Sequence, residues 1–141
     1  MKIYKFGVIG AGSITHKYLD VLSHLKNVRV EAISSRTLSK AKALSVKFKI
    51  KKFYSQNEKL ISQHKLDAII ILVSYDQIYN VTKSFIKFKI PLLIEKPPGL
   101  SLKELDVLIN LSKKYKTLNM VALNRRFYSL FHKSLEKIKK E

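Results

Sequence analysis

The sequence predicts an α/β protein built on a doubly wound, mostly parallel sheet of the Rossmann type. Three observations support this fold class. Short apolar runs alternate with helical patterns along the chain, and residues 68–73 are apolar throughout, as in a strand covered on both faces. A glycine loop also stands between the first apolar run and the first helical pattern. Repeated βα units of this kind imply right-handed crossovers between parallel strands.

The elements can be placed in order from the same patterns. The apolar runs predict strands at 3–9, 28–33, 52–54, 68–73, 91–94 and 117–123. Helical patterns predict helices at 13–26, 38–48, 76–88 and 128–140. Two more helices are predicted after Ser55-Gln56-Asn57-Glu58 and Ser101-Leu102-Lys103-Glu104, which both have capping-box spacing.

Glycine is scarce, and its placement is informative. At two helix ends Lys49 and Lys89 stand where a left-handed glycine is usual, and the chain has only four glycines. Two of the four, Gly10 and Gly12, lie in the loop after the first strand. We therefore expect that loop to need glycine for more than turning.

Length and composition restrict the classes of protein. A chain of 141 residues with 46% hydrophobic residues is long enough for one domain with one core. Cysteine is absent, which excludes disulfides and thiolate chemistry, and the sequence predicts no metal site. No apolar run approaches the ~20 residues of a membrane span. The apolar stretch at the N-terminus runs into the glycine loop and lacks the cleavage-like end of a signal peptide. These features predict a cytoplasmic protein without membrane partners.

The net charge of +18 raises the alternative of nucleic-acid binding. Nearly all of the 28 basic residues are lysines, and they are scattered through every segment rather than gathered on one element. This distribution is typical of a solvated surface, and we expect it to steer anionic ligands towards the protein. Nucleic-acid binding through this surface stays open as an alternative, which would show a steep salt dependence.

The loop Gly10-Ala11-Gly12 indicates a dinucleotide site. A glycine loop between a strand and a helix lets backbone approach a pyrophosphate, and the helix N-terminus attracts its negative charge. We expect Gly10 to make the turn, Gly12 to admit the phosphate, and Ser13 and Ile14 to complete the pyrophosphate site. Thr15 stands at the third small position; it is larger than Gly or Ala, but its hydroxyl can bond within the first helical turn.

The end of the second strand indicates which cofactor binds. An NAD site usually has a carboxylate there for the ribose 2′-hydroxyl, whereas this sequence reads Ser34-Ser35-Arg36-Thr37. Ser35 and Arg36 are suited to a 2′-phosphate, Arg36 through a charged fork or by stacking on adenine. The prediction is NADP, with NAD as the alternative. Ser35 and Thr37 could also cap the following helix.

Five stretches together resemble the nucleotide-binding half of the Gfo/Idh/MocA oxidoreductases. They are GVIGAGSITHKYL, AISSRTLSKAKAL, DAIIILVS, IPLLIEKPPGLS and VALNRRF, and their order and spacing match over residues 3–127. The resemblance implies NAD(P)-dependent hydride transfer on a sugar, sugar nucleotide or other polyol. It also implies a Rossmann domain at 1–127, followed by a helical tail at 128–141 that leads towards a substrate domain.

The resemblance assigns roles to several residues. It implies that Lys96 is catalytic and reaches the nicotinamide and the substrate hydroxyls, while Glu95 and Pro97 shape its turn. It places Asn124 and Arg125 near the cofactor. Where members of the family usually read Thr-Pro-Asn, this sequence reads Val73-Ser74-Tyr75, and Ile78 falls on a position usually held by His. Backbone contacts from Val73 and Ser74 remain expected.

In that family a second α/β domain covers the nicotinamide and supplies the usual proton acceptor. We therefore expect these 141 residues alone to bind a cofactor better than they catalyse. A homo-oligomer, or a partner chain that supplies the missing domain, stays open. His16, His24 and His64 are expected to be surface or partly buried side chains rather than substitutes for that acceptor, and His132 lies in the tail. A non-catalytic nucleotide sensor or scaffold is the other function left open.

Overall fold

Six strands and six helices alternate along the part of the chain that the structure describes. The computed structural model describes residues 2–139. The strands are β1 Tyr4–Ile9, β2 Val28–Ser34, β3 Lys52–Tyr54, β4 Ala68–Ile71, β5 Leu92–Ile94 and β6 Asn119–Val121. The helices are α1 Ser13–Ser23, α2 Leu38–Lys47, α3 Lys59–Gln63, α4 Tyr75–Phe85, α5 Leu102–Tyr115 and α6 Ser129–Ile138. Short 3₁₀ helices span Ile86–Phe88 and Asn124–Phe127.

The strands form one sheet in the order β3-β2-β1-β4-β5-β6, and every neighbouring pair is parallel. Chain order reverses between β1 and β4, which lie side by side in the middle of the sheet. The predicted doubly wound fold is therefore confirmed. In such sheets ligands bind beyond the carboxyl ends of the strands, at the point where the order reverses.

Helices cover both faces of the sheet and enclose two apolar clusters. Ile69 and Ile71 of β4 belong to one cluster, together with residues of α3 and α4 such as Leu60 and Phe85. Ile70, on the opposite face of the same strand, belongs to the other cluster with residues of α1 and α2. This arrangement confirms the prediction that β4 is covered on both faces. Burying each such side chain contributes about 1.5–3 kcal/mol.

The second predicted capping box is confirmed. The backbone N–H of Glu104 donates to Ser101 Oγ over 3.2 Å at the start of α5. The Glu104 carboxylate accepts from the backbone N–H of Leu100, one residue before the cap, over 2.6 Å. Ser101 therefore satisfies a backbone donor of the first helical turn, and Glu104 satisfies one in the loop before the helix.

The first predicted capping box is wrong. Residues 55–58 form a bend and a turn, and α3 begins only at Lys59, with no side-chain cap bond. Asn57 explains the difference, because its Oδ1 accepts a hydrogen bond from the buried Ser34 hydroxyl over 2.8 Å. That bond to β2 fixes the segment in another geometry than a helix start.

Several predicted elements are longer than the observed ones. α1 ends at Ser23 rather than 26, β4 ends at Ile71 rather than 73, and β6 covers Asn119–Val121 rather than 117–123. Thr117, at the predicted start of β6, instead donates its buried hydroxyl to the carbonyl of Ile86. This bond ties Thr117 to the 3₁₀ helix after α4, and β6 begins only at Asn119.

Lysines end three helical segments in the left-handed conformation. Lys49 and Lys89 have φ values of 55° and 59°, as their sequence positions predict, and Lys116 at the end of α5 has 54°. Each cap costs about 1 kcal/mol relative to glycine. Its positive charge recovers part of that cost beside the negative end of the helix dipole.

Candidate functional site

The glycine loop lies between β1 and α1, at the reversal of strand order. Gly10 has a φ of 113°, and a Cβ there would lie 2.3 Å from the carbonyl oxygen of Leu72. Its N–H donates to the Ser34 carbonyl over 2.8 Å. The fold itself therefore requires glycine at position 10, because no side chain fits between β1 and the end of β4.

At Gly12, unlike Gly10, neither the backbone conformation nor the surrounding protein atoms require glycine. It caps α1 with φ −85° and ψ −177°, an extended conformation open to any residue, and a Cβ there would meet no protein atom within 4 Å. Nothing inside the described chain requires glycine at this position. The open space above Gly12 faces the N-terminus of α1, where unpaired backbone N–H groups favour an anion.

Thr15 lies in the first turn of α1 and corrects one expectation. The side chain is fully buried, as a small third residue would be, so it sets the packing of α1 on the sheet. Its Oγ1 has no hydrogen-bond partner among the described residues, so the predicted bond within the first turn is wrong. Packing against the sheet, rather than a capping hydrogen bond, therefore determines the position of the Thr15 side chain.

The end of β2 supplies the basic side of the site. Ser35 Oγ accepts from the backbone N–H of Thr37 over 3.3 Å, so Ser35 caps the turn that leads into α2. Thr37 is the N-cap residue of α2 but makes no side-chain cap bond. Arg36 and Lys40 are exposed and line the same cleft as the glycine loop.

That cleft has a volume of about 350 Å³ and joins three strand ends. It brings together eight predicted cofactor residues, namely Gly10, Gly12, Ser13, Ile14, Ser35, Arg36, Val73 and Ser74. Ala11 and Thr37, which the sequence analysis considered in the glycine loop and at the adenosine end, line it as well. Sequence reasoning did not place five further lining residues in a site: Lys40, Asn57, Leu72, Gln77 and Val81. Lys40 could have been found from its position in the first turn of α2, directly after the predicted adenosine end. Asn57 could not, since its role depends on the bond to Ser34.

The start of α4 forms the opposite wall of the cleft. Asp76 stands in the first turn of that helix and is fully exposed. The Ser74 hydroxyl, the Gln77 amide and, more weakly, the charge of Arg36 hold the pKa of Asp76 below its ordinary value. Arg36 is thus close enough to act electrostatically across the cleft.

A second pocket follows the ends of β5 and β6. It has a volume of about 400 Å³, and its lining includes three of the predicted residues, Lys96, Asn124 and Arg125. Of these two strands β5 is next to β4, and directly after it the N–H of Glu95 donates to the Ile71 carbonyl over 3.0 Å. Ala122, Leu123, Arg126 and Phe131 complete the lining. We call this the Lys96 pocket.

Glu95 is held by helix α1 rather than by Lys96. The Tyr18 hydroxyl donates to Glu95 Oε2 over 2.8 Å. Burial, then this hydrogen bond, then the charge of Glu95 raise the pKa of Tyr18 well above its ordinary value. The contact ties the helix that follows the glycine loop to the turn that carries Lys96. Pro97 follows that lysine, is exposed, and lines neither the cleft nor the Lys96 pocket.

The remaining candidates for chemistry lie elsewhere. His64, at the end of α3, pairs with the Tyr54 hydroxyl over 2.9 Å, and the His16 ring packs edge-on against Phe48. His24 bonds the carbonyl of Asp20 on its own helix, and His132 is exposed on α6. No cluster of three or more His, Cys, Asp or Glu residues that could hold a metal ion occurs within 2–139.

The glycine loop, the strand order and the cleft together point to a dinucleotide-binding domain. The family model described as an oxidoreductase family with an NAD-binding Rossmann fold, GFO_IDH_MocA, matches residues 4–123. The chain belongs to the Gfo/Idh/MocA oxidoreductase family. The predicted resemblance is thereby confirmed, and with it the expectation of a nucleotide-binding domain from an oxidoreductase.

Individual relatives agree with this membership. Myo-inositol 2-dehydrogenase of Thermotoga maritima is 27% identical over 134 residues, which is 95% of this chain and 40% of that protein. Trans-1,2-dihydrobenzene-1,2-diol dehydrogenase of Danio rerio is 26% identical over 126 residues, 88% of this chain and 38% of that protein. The chain thus spans about two fifths of the length of these Gfo/Idh/MocA relatives.

A solved structure shows the shared fold. Myo-inositol 2-dehydrogenase from Lactobacillus plantarum superposes with a TM-score of 0.90 at 17% identity, over 99% of this chain and 42% of that chain. No helix within residues 2–139 combines the length and the apolar character that crossing a bilayer requires.

Proposed function

We propose that this chain binds NADP(H) in preference to NAD(H), in the cleft above the glycine loop. The observation that carries the proposal is the joining of that loop to Ser35, Arg36 and Lys40 in one cleft. Among the described residues, no carboxylate lines the cleft. A ribose 2′-hydroxyl would therefore lack its usual acceptor, whereas a 2′-phosphate would meet two cations and a hydroxyl.

The chain fits the rest of the cofactor. The open space above Gly12, at the positive end of α1, suits a pyrophosphate. In this proposal Gly10, Gly12, Ser13 and Ile14 hold the pyrophosphate, Ser35 and Arg36 the adenosine end, and Val73 and Ser74 offer backbone to the dinucleotide. Asn124 and Arg125 lie at the nicotinamide end, where Glu95 and Pro97 shape the turn of Lys96.

The chemistry that follows is hydride transfer to or from a polyol. When bound, the cofactor supplies or accepts the hydride. Lys96 is the catalytic residue of the proposal, because its ammonium group lines a pocket at the carboxyl edge of the sheet and can donate to a substrate oxygen. The printed names of the relatives, an inositol and a diol dehydrogenase, favour a sugar-type substrate with neighbouring hydroxyls.

Binding rather than turnover is the decisive measurement. Within residues 2–139 neither a histidine nor a carboxylate lines the Lys96 pocket, so the described residues supply no proton acceptor there. A test that required catalysis would therefore not distinguish a failed cofactor site from an incomplete reaction centre.

The test is isothermal titration of the chain with NADPH and with NADH. We expect NADPH to bind at least tenfold more tightly. Arg36→Ala should weaken NADPH by about ten- to hundredfold, as loss of a charged hydrogen bond does, and should leave NADH nearly unchanged. Lys40→Ala should act in the same direction. Lys42→Ala is the matched control, because Lys42 is an exposed lysine of the same helix that does not line the cleft.

Two outcomes would contradict the proposal. If neither nucleotide binds at high micromolar concentration, the cleft is not a dinucleotide site. If Arg36→Ala and Lys42→Ala weaken NADPH equally, general charge attraction rather than a phosphate contact explains the preference, and NAD becomes the better assignment.

A further inference from the structure

Asn57 enters the dinucleotide cleft from the turn that follows β3. In the parallel pairing of β2 and β3, Ser34 lies opposite Tyr54, and the N–H of Ser35 donates to the Tyr54 carbonyl over 3.0 Å. The turn after β3 therefore lies beside the loop that carries Ser35 and Arg36, and Asn57 lines the same cleft as both. The cofactor contacts proposed above do not include this side chain.

A buried hydroxyl fixes the orientation of the Asn57 amide. Ser34 is fully buried, and its Oγ donates to Asn57 Oδ1 over 2.8 Å. If the amide were turned the other way, the buried hydroxyl proton would face an N–H group and lose its acceptor. The backbone carbonyl of Asn57 is also engaged, since it accepts from the N–H of Leu60 over 3.0 Å. The carbonyl end of the amide thus faces the protein interior, and its NH₂ end faces away from it.

The amide nitrogen of Asn57 can therefore bind a ligand. Within residues 2–139 it has no hydrogen-bond partner, and the buried side-chain atoms without one are the hydroxyls of Thr15 and Thr82, so the nitrogen is accessible. It adds an uncharged donor to the cations of Arg36 and Lys40 in the cleft. A phosphate group offers acceptor oxygens to all three, whereas a hydroxyl also needs an acceptor for its own proton.

We propose that Asn57 is a specificity-determining residue of the NADP(H) site, which donates its amide N–H to the 2′-phosphate while Ser34 holds the amide in orientation. The inference rests on the proposed function for the presence of NADP(H) in this cleft. It goes further in assigning part of the preference for the phosphate to an uncharged side chain after β3. Glu58, the next residue, is exposed and does not line the cleft, so its carboxylate stays outside this contact.

The decisive variant is Asn57→Asp, which keeps the shape of the side chain and an acceptor for the Ser34 hydroxyl but replaces the N–H donors by a negative charge. The salt concentration is about 150 mM, which screens charges more than about 8 Å apart. In titration calorimetry we expect NADPH to weaken at least about tenfold and NADH to change less than about twofold. Gln56→Glu is the matched control, because it adds the same charge one residue earlier, on an exposed side chain outside the cleft. It should leave the ratio of the two affinities unchanged.

Two fragments of the cofactor locate the contact. Adenosine 2′,5′-bisphosphate carries the 2′-phosphate, and adenosine 5′-monophosphate lacks it. We expect the parent protein to bind the bisphosphate at least about tenfold more tightly, and Asn57→Asp to lose most of that difference. In ¹⁵N NMR spectra the side-chain NH₂ signals of Asn57, identified by their absence from the variant, should shift with the bisphosphate and much less with the monophosphate.

The inference and the proposed function fail in different ways. An unchanged ratio of NADPH to NADH affinity in Asn57→Asp, or an equal change of that ratio in Gln56→Glu, would overturn the inference. An equal loss of both fragments in Asn57→Asp would also overturn it, because the amide would then contact the adenosine rather than the phosphate. Failure of the proposed function is read from the parent protein, which would then bind neither dinucleotide or would not prefer NADPH.

Discussion

Replacing each loop glycine by alanine should separate a folding requirement from a ligand requirement. At position 12 the backbone is extended and a methyl group meets no protein atom within 4 Å. Alanine is a poorer N-cap than glycine by about 0.5–1 kcal/mol, while a less flexible unfolded chain stabilises by about 0.4–1 kcal/mol. The two effects nearly cancel. The free energy of unfolding of Gly12→Ala should therefore stay within about 0.5 kcal/mol of the parent protein.

Binding should respond quite differently. The added methyl group occupies the open space at the N-terminus of α1, where the pyrophosphate is proposed to approach the backbone. We expect Gly12→Ala to weaken NADPH at least tenfold, which corresponds to about 1.4 kcal/mol. NADH should be weakened by the same factor, since both dinucleotides share the pyrophosphate.

Gly10→Ala should lower the stability of the fold itself. Its φ of 113° is a glycine conformation, and the new Cβ would lie 2.3 Å from the Leu72 carbonyl oxygen. Backbone strain of about 1–3 kcal/mol adds to that clash, so a loss of about 3 kcal/mol or more is expected. That is a large part of the 5–15 kcal/mol that stabilises a typical domain.

Urea unfolding and titration calorimetry on both variants test the reasoning. The expected pattern is a stable Gly12→Ala protein that binds poorly and a destabilised Gly10→Ala protein. A Gly12→Ala protein that binds NADPH like the parent would refute the placement of the pyrophosphate. A Gly10→Ala protein of unchanged stability would refute the steric argument at the sheet.

Three further predictions concern the fold. Because the pKa of Tyr18 is raised from 10.0, its neutral form favours the folded state, so stability is retained below pH 10 and falls as pH rises beyond it. Tyr18→Phe should lack that alkaline component in pH-dependent urea unfolding, and an identical slope in both proteins would disprove it. Thr15→Val removes a buried hydroxyl without a partner among the described residues and should raise the free energy of unfolding by about 1 kcal/mol. Thr117→Val removes a buried hydrogen-bond donor and should lower the free energy of unfolding by about 1–3 kcal/mol. Shifts of the same sign would contradict the difference in hydrogen bonding between the two hydroxyls. Ser101→Ala should cost about 1 kcal/mol by thermal unfolding, while Ser55→Ala should cost almost nothing; equal costs would restore a cap at residue 55.

The fold could be predicted from the sequence because local and global signals agree in it. Residues 68–73 are apolar on both faces, and β4 is indeed buried on both sides. Position 10 requires glycine because the Leu72 backbone, directly after β4, leaves no room for a side chain. Patterns of this kind reflect burial directly, and burial dominates the stability of the fold.

Capping was predictable only where no distant contact intervened. Ser101 and Glu104 form their box because their partners lie within the same helix turn and the residue before it. The same spacing at Ser55 failed because Asn57 is bound by Ser34, 23 residues earlier. A short pattern carries no information about such a partner.

The sequence predicted most of the residues of the candidate site, but not that they line two separate pockets. The residues after β1, β2 and β4 meet in one cleft, as their positions at strand ends imply. Lys96, Asn124 and Arg125 instead line a separate pocket, joined by Arg126 and Phe131. The bond from Tyr18 to Glu95 links the two regions, and its 77-residue separation left no signal in the sequence.

The left-handed lysines at 49, 89 and 116 leave a margin for engineering. None of the three lines the cleft or the Lys96 pocket. Glycine at these positions would relieve backbone strain at three separate helix ends while reducing a large positive charge. Glycine at all three positions should therefore give a more heat-resistant protein in which the cleft and the Lys96 pocket are unchanged.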